Sequence, residues 1–387
     1  MDPYDGVEIR EAGLLIRPWA ARDADAVYAA CQDSDIQRWT AVPRPYLREH
    51  ATDYVTTSAA QAWADGTGAH LAVVDAGTDE VLGACGLITL DRTAGTAEIG
   101  YWIAPWARRR GVATAAARAV CRWALGSLGL RRVLWRAEVG NQASRLIAIR
   151  LGFRLDGTSR QSLRRGDGSY ADAWAATLLP GELLESDITL STRATARAGV
   201  FGADQPVLPF TTPAGEAGRL RALRTDDVPA LVQACRDPLS IQYTTVPEPY
   251  ADADADSFVH GYAPAVWREG VEGVFAVADG SDAFVGTMAL RLSGDPVTTL
   301  TGDVGYLIGP WARGRGYAPA ALRALCDWAF PALELHRIEW RAYVGNDASR
   351  RVAERAGFTV EGLLRSSLGH RGTIKDAWIG ARLVTDV

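Results

Sequence analysis

Long apolar runs are missing from this chain of 387 residues. A membrane-spanning helix needs about 20 consecutive apolar residues, so none is expected, and the acidic, mixed stretch 1–10 is unlike a secretory signal. The expectation is a cytoplasmic protein with no membrane partner. Lysine is nearly absent as well: Lys375 is the only one, and arginine supplies the remaining positive side chains. With so much alanine, this is the imprint of a GC-rich coding sequence rather than a functional signal. The formal charge is −5, and no basic block stands out beyond short arginine groups, which argues against general adhesion to nucleic acid. There are five histidines, none at metal-ligand spacing, so no metal is expected. A Gly-x-x-x-x-Gly-Lys-Ser/Thr loop is missing too, which removes the commonest nucleotide-triphosphate site.

What the chain does have is an internal repeat. Pro105-Trp106-Ala107-Arg108-Arg109-Arg110-Gly111-Val112-Ala113 returns as Pro310-Trp311-Ala312-Arg313-Gly314-Arg315-Gly316-Tyr317-Ala318, about 205 residues later. The windows 101–125 and 306–330 agree at roughly 16 of about 25 positions without a gap. Val42-Pro43 pairs with Val246-Pro247, and Asp172-Ala173-Trp174 with Asp376-Ala377-Trp378. Cys31 matches Cys235 and Cys121 matches Cys326, all on apparent helices, so these read as small core residues, as does Cys85. A period this long is a whole domain, and two domains are expected at 1–182 and 213–387, joined by a linker at 183–212. With 48% apolar residues and 13 tryptophans, each can bury its own core.

In the first half, strands are expected at 14–17, 71–74, 81–90, 97–103 and 133–139, with a closing β-pair over 155–179. Helices are expected at 23–31, after the loop at 105, and at 143–151, with an irregular region rich in Trp, Pro and Tyr after residue 31. The second half repeats this order from 218 to 384. Strands and helices mixed around one sheet make each half an α/β domain.

The repeated loop is built to hold an anion. In Arg-x-x-Gly-x-Ala the small residues let successive backbone N–H groups turn inward, and the N-terminus of a helix stands behind them. Arg108, Arg109 and Arg110 add charge. Gly314-Arg315-Gly316 begins like a dinucleotide fingerprint, but Pro319 stands where its third glycine belongs.

Glu98-Ile99-Gly100-Tyr101-Trp102-Ile103 and Asp303-Val304-Gly305-Tyr306-Leu307-Ile308 precede the two loops, and Asn141-x-x-Ser144 and Asn346-x-x-Ser349 follow, each with a Gly-Phe pair behind it. Together these elements resemble the GNAT superfamily of N-acyltransferases, and within it the RimJ/RimL branch. The resemblance covers most of both halves. It implies two tandem GNAT-type domains, each with a mixed, mostly antiparallel central sheet splayed at the acyl-CoA site and flanked by helices.

The resemblance further implies an acyl-CoA donor, acetyl-CoA first among them. Its pyrophosphate would sit on Arg108, Arg109, Arg110, Gly111, Val112, Ala113 and Thr114, or on Arg313, Gly314, Arg315, Gly316, Tyr317 and Ala318. The pantetheine would pair with the strand ending at Ile103 or Ile308 like an added strand. Asn141 and Asn346 would lie near the thioester, though either residue type at that place also caps a helix. The acceptor amine must lose its proton to react, and Glu98 and Asp303 are the base candidates, the alternative being carboxylates tied into strand-edge hydrogen bonds. Ser144 or Ser349 would protonate the leaving thiolate, and a backbone N–H near Trp102 or Leu307 would steady the oxyanion of a tetrahedral intermediate. Trp39, Tyr46 and Trp63, with Tyr243, Tyr250 and Trp267, are candidate acceptor walls or else packing, and Asp172 or Asp376 could attract the amine. The acceptor would be a small-molecule amine or a protein N-terminal amine. Two other readings stay open: a larger acyl group delivered by an acyl carrier protein in specialised-metabolite biosynthesis, or a non-catalytic acyl-CoA sensor. Donor binding is expected in both halves, and catalysis in at least one.

Overall fold

The computed structural model describes residues 7–186 and 191–386, and the chain divides into two compact units, Met1–Ser191 and Thr192–Val387. The first begins with β1 (Ile9–Glu11), β2 (Leu14–Pro18) and helices α1 (Ala24–Ala30), α2 (Ser34–Trp39), α3 (Arg48–Asp53) and α4 (Ala59–Ala64). Next come β3 (Leu71–Asp75), β4 (Val81–Asp91), β5 (Thr96–Ile103), α5 (Val112–Leu125), β6 (Arg132–Glu138), α6 (Gln142–Leu151), β7 (Arg154–Arg164) and β8 (Tyr170–Leu178). The region expected to be irregular after residue 31 is thus largely helical. Asp33 starts α2 by accepting from the Asp35 and Ile36 amides, and a π-turn at Tyr54–Ser58 joins α3 to α4.

The strands form one sheet in the order β1-β2-β3-β4-β5-β6-β8-β7. Every neighbouring pair is antiparallel except β5 and β6, so the sheet is mixed and mostly antiparallel as expected. The β5–β6 pairing runs only from Thr96–Arg132 to Ile99–Trp135. Beyond it β6 stays on β8 through Glu138, and β5 stays on β4 through Ile103. The two strands therefore splay, and residues 100–103 of β5 present an edge with no β6 partner.

Side chains alternate across β5. Ile99, Tyr101 and Ile103 join the core under α5, whereas Trp102 joins Val27, Ile36 and Ala51 beneath the α1–α4 layer. Alanine dominates α5, which lets its Ala116, Ala117 and Val120 face pack closely on the sheet. A buried ion pair ties the layers together: Arg17 grips Asp23 at 2.8 and 3.0 Å, and Asp23 also accepts from the Ala20 amide.

The second unit repeats the plan. It runs through α7 (Ser191–Phe201), β9 (Leu208–Thr211), β10 (Ala217–Arg221), α8 (Val228–Arg236), α9 (Pro238–Tyr243), α10 (Asp252–Asp256), α11 (Ala263–Glu269), β11 (Glu272–Asp279) and β12 (Phe284–Leu292). It continues with β13 (Thr301–Ile308), α12 (Tyr317–Leu333), β14 (Arg337–Tyr343), α13 (Asp347–Arg355), β15 (Thr359–His370) and β16 (Thr373–Leu383). The sheet order is the same, β13 and β14 are its parallel pair, and their pairing ends at Val304–Trp340. Arg221 grips Asp227 at 2.8 and 2.9 Å, matching Arg17 and Asp23.

Within the stretch expected to be a linker, residues 187–190 lie outside the described residues, but the segment from Ser191 onward is structured. Phe201, Leu208 and Phe210 are core residues of the second unit. Arg197 of α7 is buried and donates to the Leu333, Pro296 and Thr299 carbonyls. Burial brings its pKa down to about 10, so the guanidinium remains charged at neutral pH.

Candidate active site

The expected anion loop has the backbone of an anion nest. Arg109 and Gly111 have φ of 60° and 77°, and Gly314 and Gly316 have 77° and 83°. Alternation of left-handed residues with ordinary ones turns successive N–H groups toward one point. Position 109 therefore holds a non-glycine residue in a conformation for which the second copy uses glycine. Gly111 and Gly316 are also the first flanking residues of α5 and α12, whose unpaired amides lie next in line.

Arg108 and Arg313 are employed elsewhere. Arg108 donates through Nε to the Ile103 carbonyl at 3.3 Å, and its terminal nitrogens bind Asp33 and Asp35. Arg313 donates to the Ile308 carbonyl at 3.0 Å, to Asp237 at 2.6 Å and to the Ser240 Oγ at 3.1 Å. The first arginine of each motif thus fastens the end of β5 or β13 to the cap of a helix on the other layer. Burial alone would raise Asp33 and Asp237, but the arginines and the capping amides hold both below the usual carboxylate range.

Ser144 sits in a polar cluster within the α5–α6 layer. Its Oγ lies 3.1 Å from the Tyr101 hydroxyl and accepts from the Trp135 Nε1 at 3.1 Å. The second unit repeats the cluster, with Ser349 Oγ 3.0 Å from the Tyr306 hydroxyl and 3.0 Å from the Trp340 Nε1. Burial pushes both tyrosines far above their ordinary pKa, so they stay protonated. Asn141 and Asn346 cap α6 and α13, accepting from the Ser144 and Ser349 amides at 3.1 Å.

The candidate bases differ between the units. Glu98 is 6% exposed and bound by Arg136, with contacts of 3.0 Å to Nε and 2.8 Å to the terminal nitrogen. It lies on the face of β5 opposite to Tyr101, so Glu98 and Ser144 flank β5 from its two sides. Asp303 has the same place on β13, but Arg341 there pairs with Glu339 at 2.8 Å. Burial raises Asp303 above its ordinary 3.8, against the pull of Arg341 and Arg291.

These elements match one known domain twice. The profile described as an acetyltransferase (GNAT) domain matches residues 13–154 and 219–359. The chain belongs to the GNAT acetyltransferase family. YdaF of Bacillus subtilis (strain 168) is 40% identical over 106 residues, which are 27% of this chain and 55% of that protein. The uncharacterized N-acetyltransferase YoaA of the same organism is 27% identical over 157 residues, 41% of this chain and 88% of its own length. The ribosomal-protein-serine acetyltransferase of Escherichia coli (strain K12) is 32% identical over 84 residues, 22% of this chain and 47% of that enzyme. The chain thus spans about half the length of two of these three relatives.

The remaining aromatic candidates of this GNAT chain are mostly packed. Tyr46 and Tyr250 are 6% and 8% exposed in the helical layers, each against a buried cysteine, Cys31 or Cys235. Trp63 stacks on Trp123 with ring centroids 6.4 Å apart, and Trp267 lies between Phe201 and Phe275 and donates to the Ala203 carbonyl. All four are held in packing contacts. Trp39 is half-buried under Arg38, and Tyr243 donates to the Gly345 carbonyl at 3.1 Å, beside the Asn346 cap. Asp172 and Asp376 accept from the Gln161 and Ser366 amides at 2.8 Å and so hold the bulges of β7 and β15. Tyr101, Trp135, Arg136 and Asp33 were not singled out from the sequence. All four recur in the second half, as Tyr306, Trp340, Arg341 and Asp237, and that recurrence was the available signal.

Proposed function

We propose that this chain transfers an acetyl group directly from acetyl-CoA to a primary amine, with a protein N-terminal amine as the preferred acceptor. The observation that carries this reading is the junction of three features at one strand: the nest after Ile103, the unpaired edge at 100–103, and the Tyr101–Ser144–Trp135 cluster beside it. A pyrophosphate suits the nest, with Arg109 and Arg110 beside it. The open strand edge suits the amides of a pantetheine arm. Acyl-CoA supplies an activated thioester.

The protein's own groups would do the rest. An amine of pKa about 8 to 10 must shed a proton before it attacks, and Glu98, held by Arg136, would receive that proton through water. Ser144 would pass its hydroxyl proton to the departing sulfur and take one back from water, while Trp135 and Tyr101, whose own hydroxyl stays protonated, hold it in place. Because a thiol has a reference pKa of about 8.5, this step assists the reaction more than it limits it. The name of the Escherichia coli relative supports a protein acceptor.

The test is direct. The full chain is incubated with acetyl-CoA and with peptides that start in serine or alanine, in parallel with small primary amines. Free thiol release and acetylation at the α-amine are followed. Turnover of peptides but not of their α-N-blocked forms is expected; thiol release with small amines only would remove the protein-acceptor reading, and none with any amine would remove the enzyme reading.

A further inference from the structure

The two anion loops, though alike in sequence, stand in different surroundings. In the first unit β1 and β2 are joined by the tight turn Ala12-Gly13, because Glu11 already pairs with Leu14. The Glu11 carboxylate is drawn away to Arg122 of α5 at 2.9 Å. A Cβ placed on Gly111 would meet nothing within 4 Å. Neither Arg109 nor Arg110 has a hydrogen bond or ion pair to any described residue; Asp75 feels the charge of Arg110, as Asp279 feels that of Arg315, but no described carboxylate is bound to the Arg110 guanidinium.

In the second unit the corresponding turn is longer, spanning residues 212–216 between Thr211 and Ala217. It leans on the loop. A Cβ on Gly316 would lie 2.8 Å from the Pro213 Cδ. Glu216, at the end of the turn, accepts from Arg315 at 2.8 Å and from the Tyr317 hydroxyl at 2.6 Å. Arg315 is the counterpart of Arg110, and Tyr317 stands at the first position of α12, where Val112 stands in α5. Hydrogen bonding from Tyr317, then Arg315, holds Glu216 below the usual carboxylate range, so it is ionised at neutral pH.

A carboxylate bound to the cation beside an anion nest competes with a phosphate for that cation and repels it. We infer that Glu216 closes the second unit's loop to the donor pyrophosphate, so that the chain takes one acyl-CoA, in the first unit. This rests on the acyl-CoA reading above and narrows it, since both loops were expected to bind. The second unit keeps the architecture of a donor site while its own hairpin supplies the anion.

Calorimetric titration of the full chain with CoA tests this. The expected result is one CoA per chain, bound at least about tenfold more weakly when Arg109 and Arg110 are both replaced by alanine. Glu216→Gln keeps the size of the side chain and removes its charge, and it should add a second, weaker site. Two sites in the unaltered chain would overturn the inference, as would undiminished binding by the R109A/R110A variant or a single site in E216Q. Loss of fold in a variant is read separately from its circular dichroism, and the stoichiometry of the unaltered chain decides the inference in that case. No CoA bound by any form would instead remove the acyl-CoA reading itself.

Discussion

The Tyr101 hydroxyl lies 3.1 Å from the Ser144 Oγ, and the same Trp135 indole N–H reaches both oxygens at 3.1 Å. The serine is therefore held by two neighbours in the layer behind β5 while Glu98 stands on the other side. Ser144→Ala should lower kcat by about tenfold, a modest loss because the thiolate leaves readily, with little change in KM for the acceptor. Tyr101→Phe removes one of the two groups that hold the serine hydroxyl but keeps the ring, and should cost a similar factor. Steady-state rates over a pH series check both.

Glu98→Gln should reduce kcat by about a hundredfold and leave a shallower fall of rate at low pH, as removal of a general base does. Asp303→Asn should leave the overall rate within about twofold, because the second loop is held by Glu216. Equal losses from the two variants would point to two working sites.

Asp303 also carries a pH signature. Burial raises its pKa above the ordinary 3.8, so the folded second unit prefers the neutral acid. The stability this gives is complete below that ordinary value and is lost as pH rises through the raised one. Asp303→Asn should therefore raise the melting temperature of the second unit at pH 7, and the gain should vanish below about pH 4. Calorimetric scans at the two pH values read it.

The Arg221–Asp227 pair joins two side chains that are each 4% exposed. Arg221→Leu leaves Asp227 buried without its partner and should destabilise the second unit by about 3 to 5 kcal/mol. The double replacement of Arg221 and Asp227 by apolar residues should recover part of that loss. Denaturant unfolding of the full chain, with transitions assigned to each unit, measures both.

Asp33→Ala removes a helix cap and the partner of Arg108 together. A loss of about 1 kcal/mol is expected from the cap, with a raised KM for the donor because the end of β5 is no longer fastened to α2. Asp33→Asn keeps the cap, so a raised KM in both variants separates the Arg108 contact from capping.

Much of the plan was legible in the chain. The alternation in 97–103 put Glu98 and Trp102 on one face, the apolar run at 71–74 marked a strand, and the Arg-x-x-Gly-x-Ala spacing located the nest. Other features could not be read that way. The α2–α4 segments are short, interrupted by prolines and by a π-turn, so their period was masked. The small, polar stretch after residue 190 reads as irregular by composition, yet α7 is held by the hydrogen bonds of Arg197 to three carbonyls far along the chain.

The sequence by itself determined the duplication, the α/β class and the position of the anion loop, because these depend on local periodicity and on spacing that recurs. Tertiary structure alone decided which guanidinium groups meet a carboxylate and which, among the described residues, are left without an ion pair. Arg108 and Asp33 are 75 residues apart and Arg315 and Glu216 are 99 apart, and nothing local brings such partners together. Charge is carried by single residues, but its use is fixed by whatever the fold places within hydrogen-bonding distance.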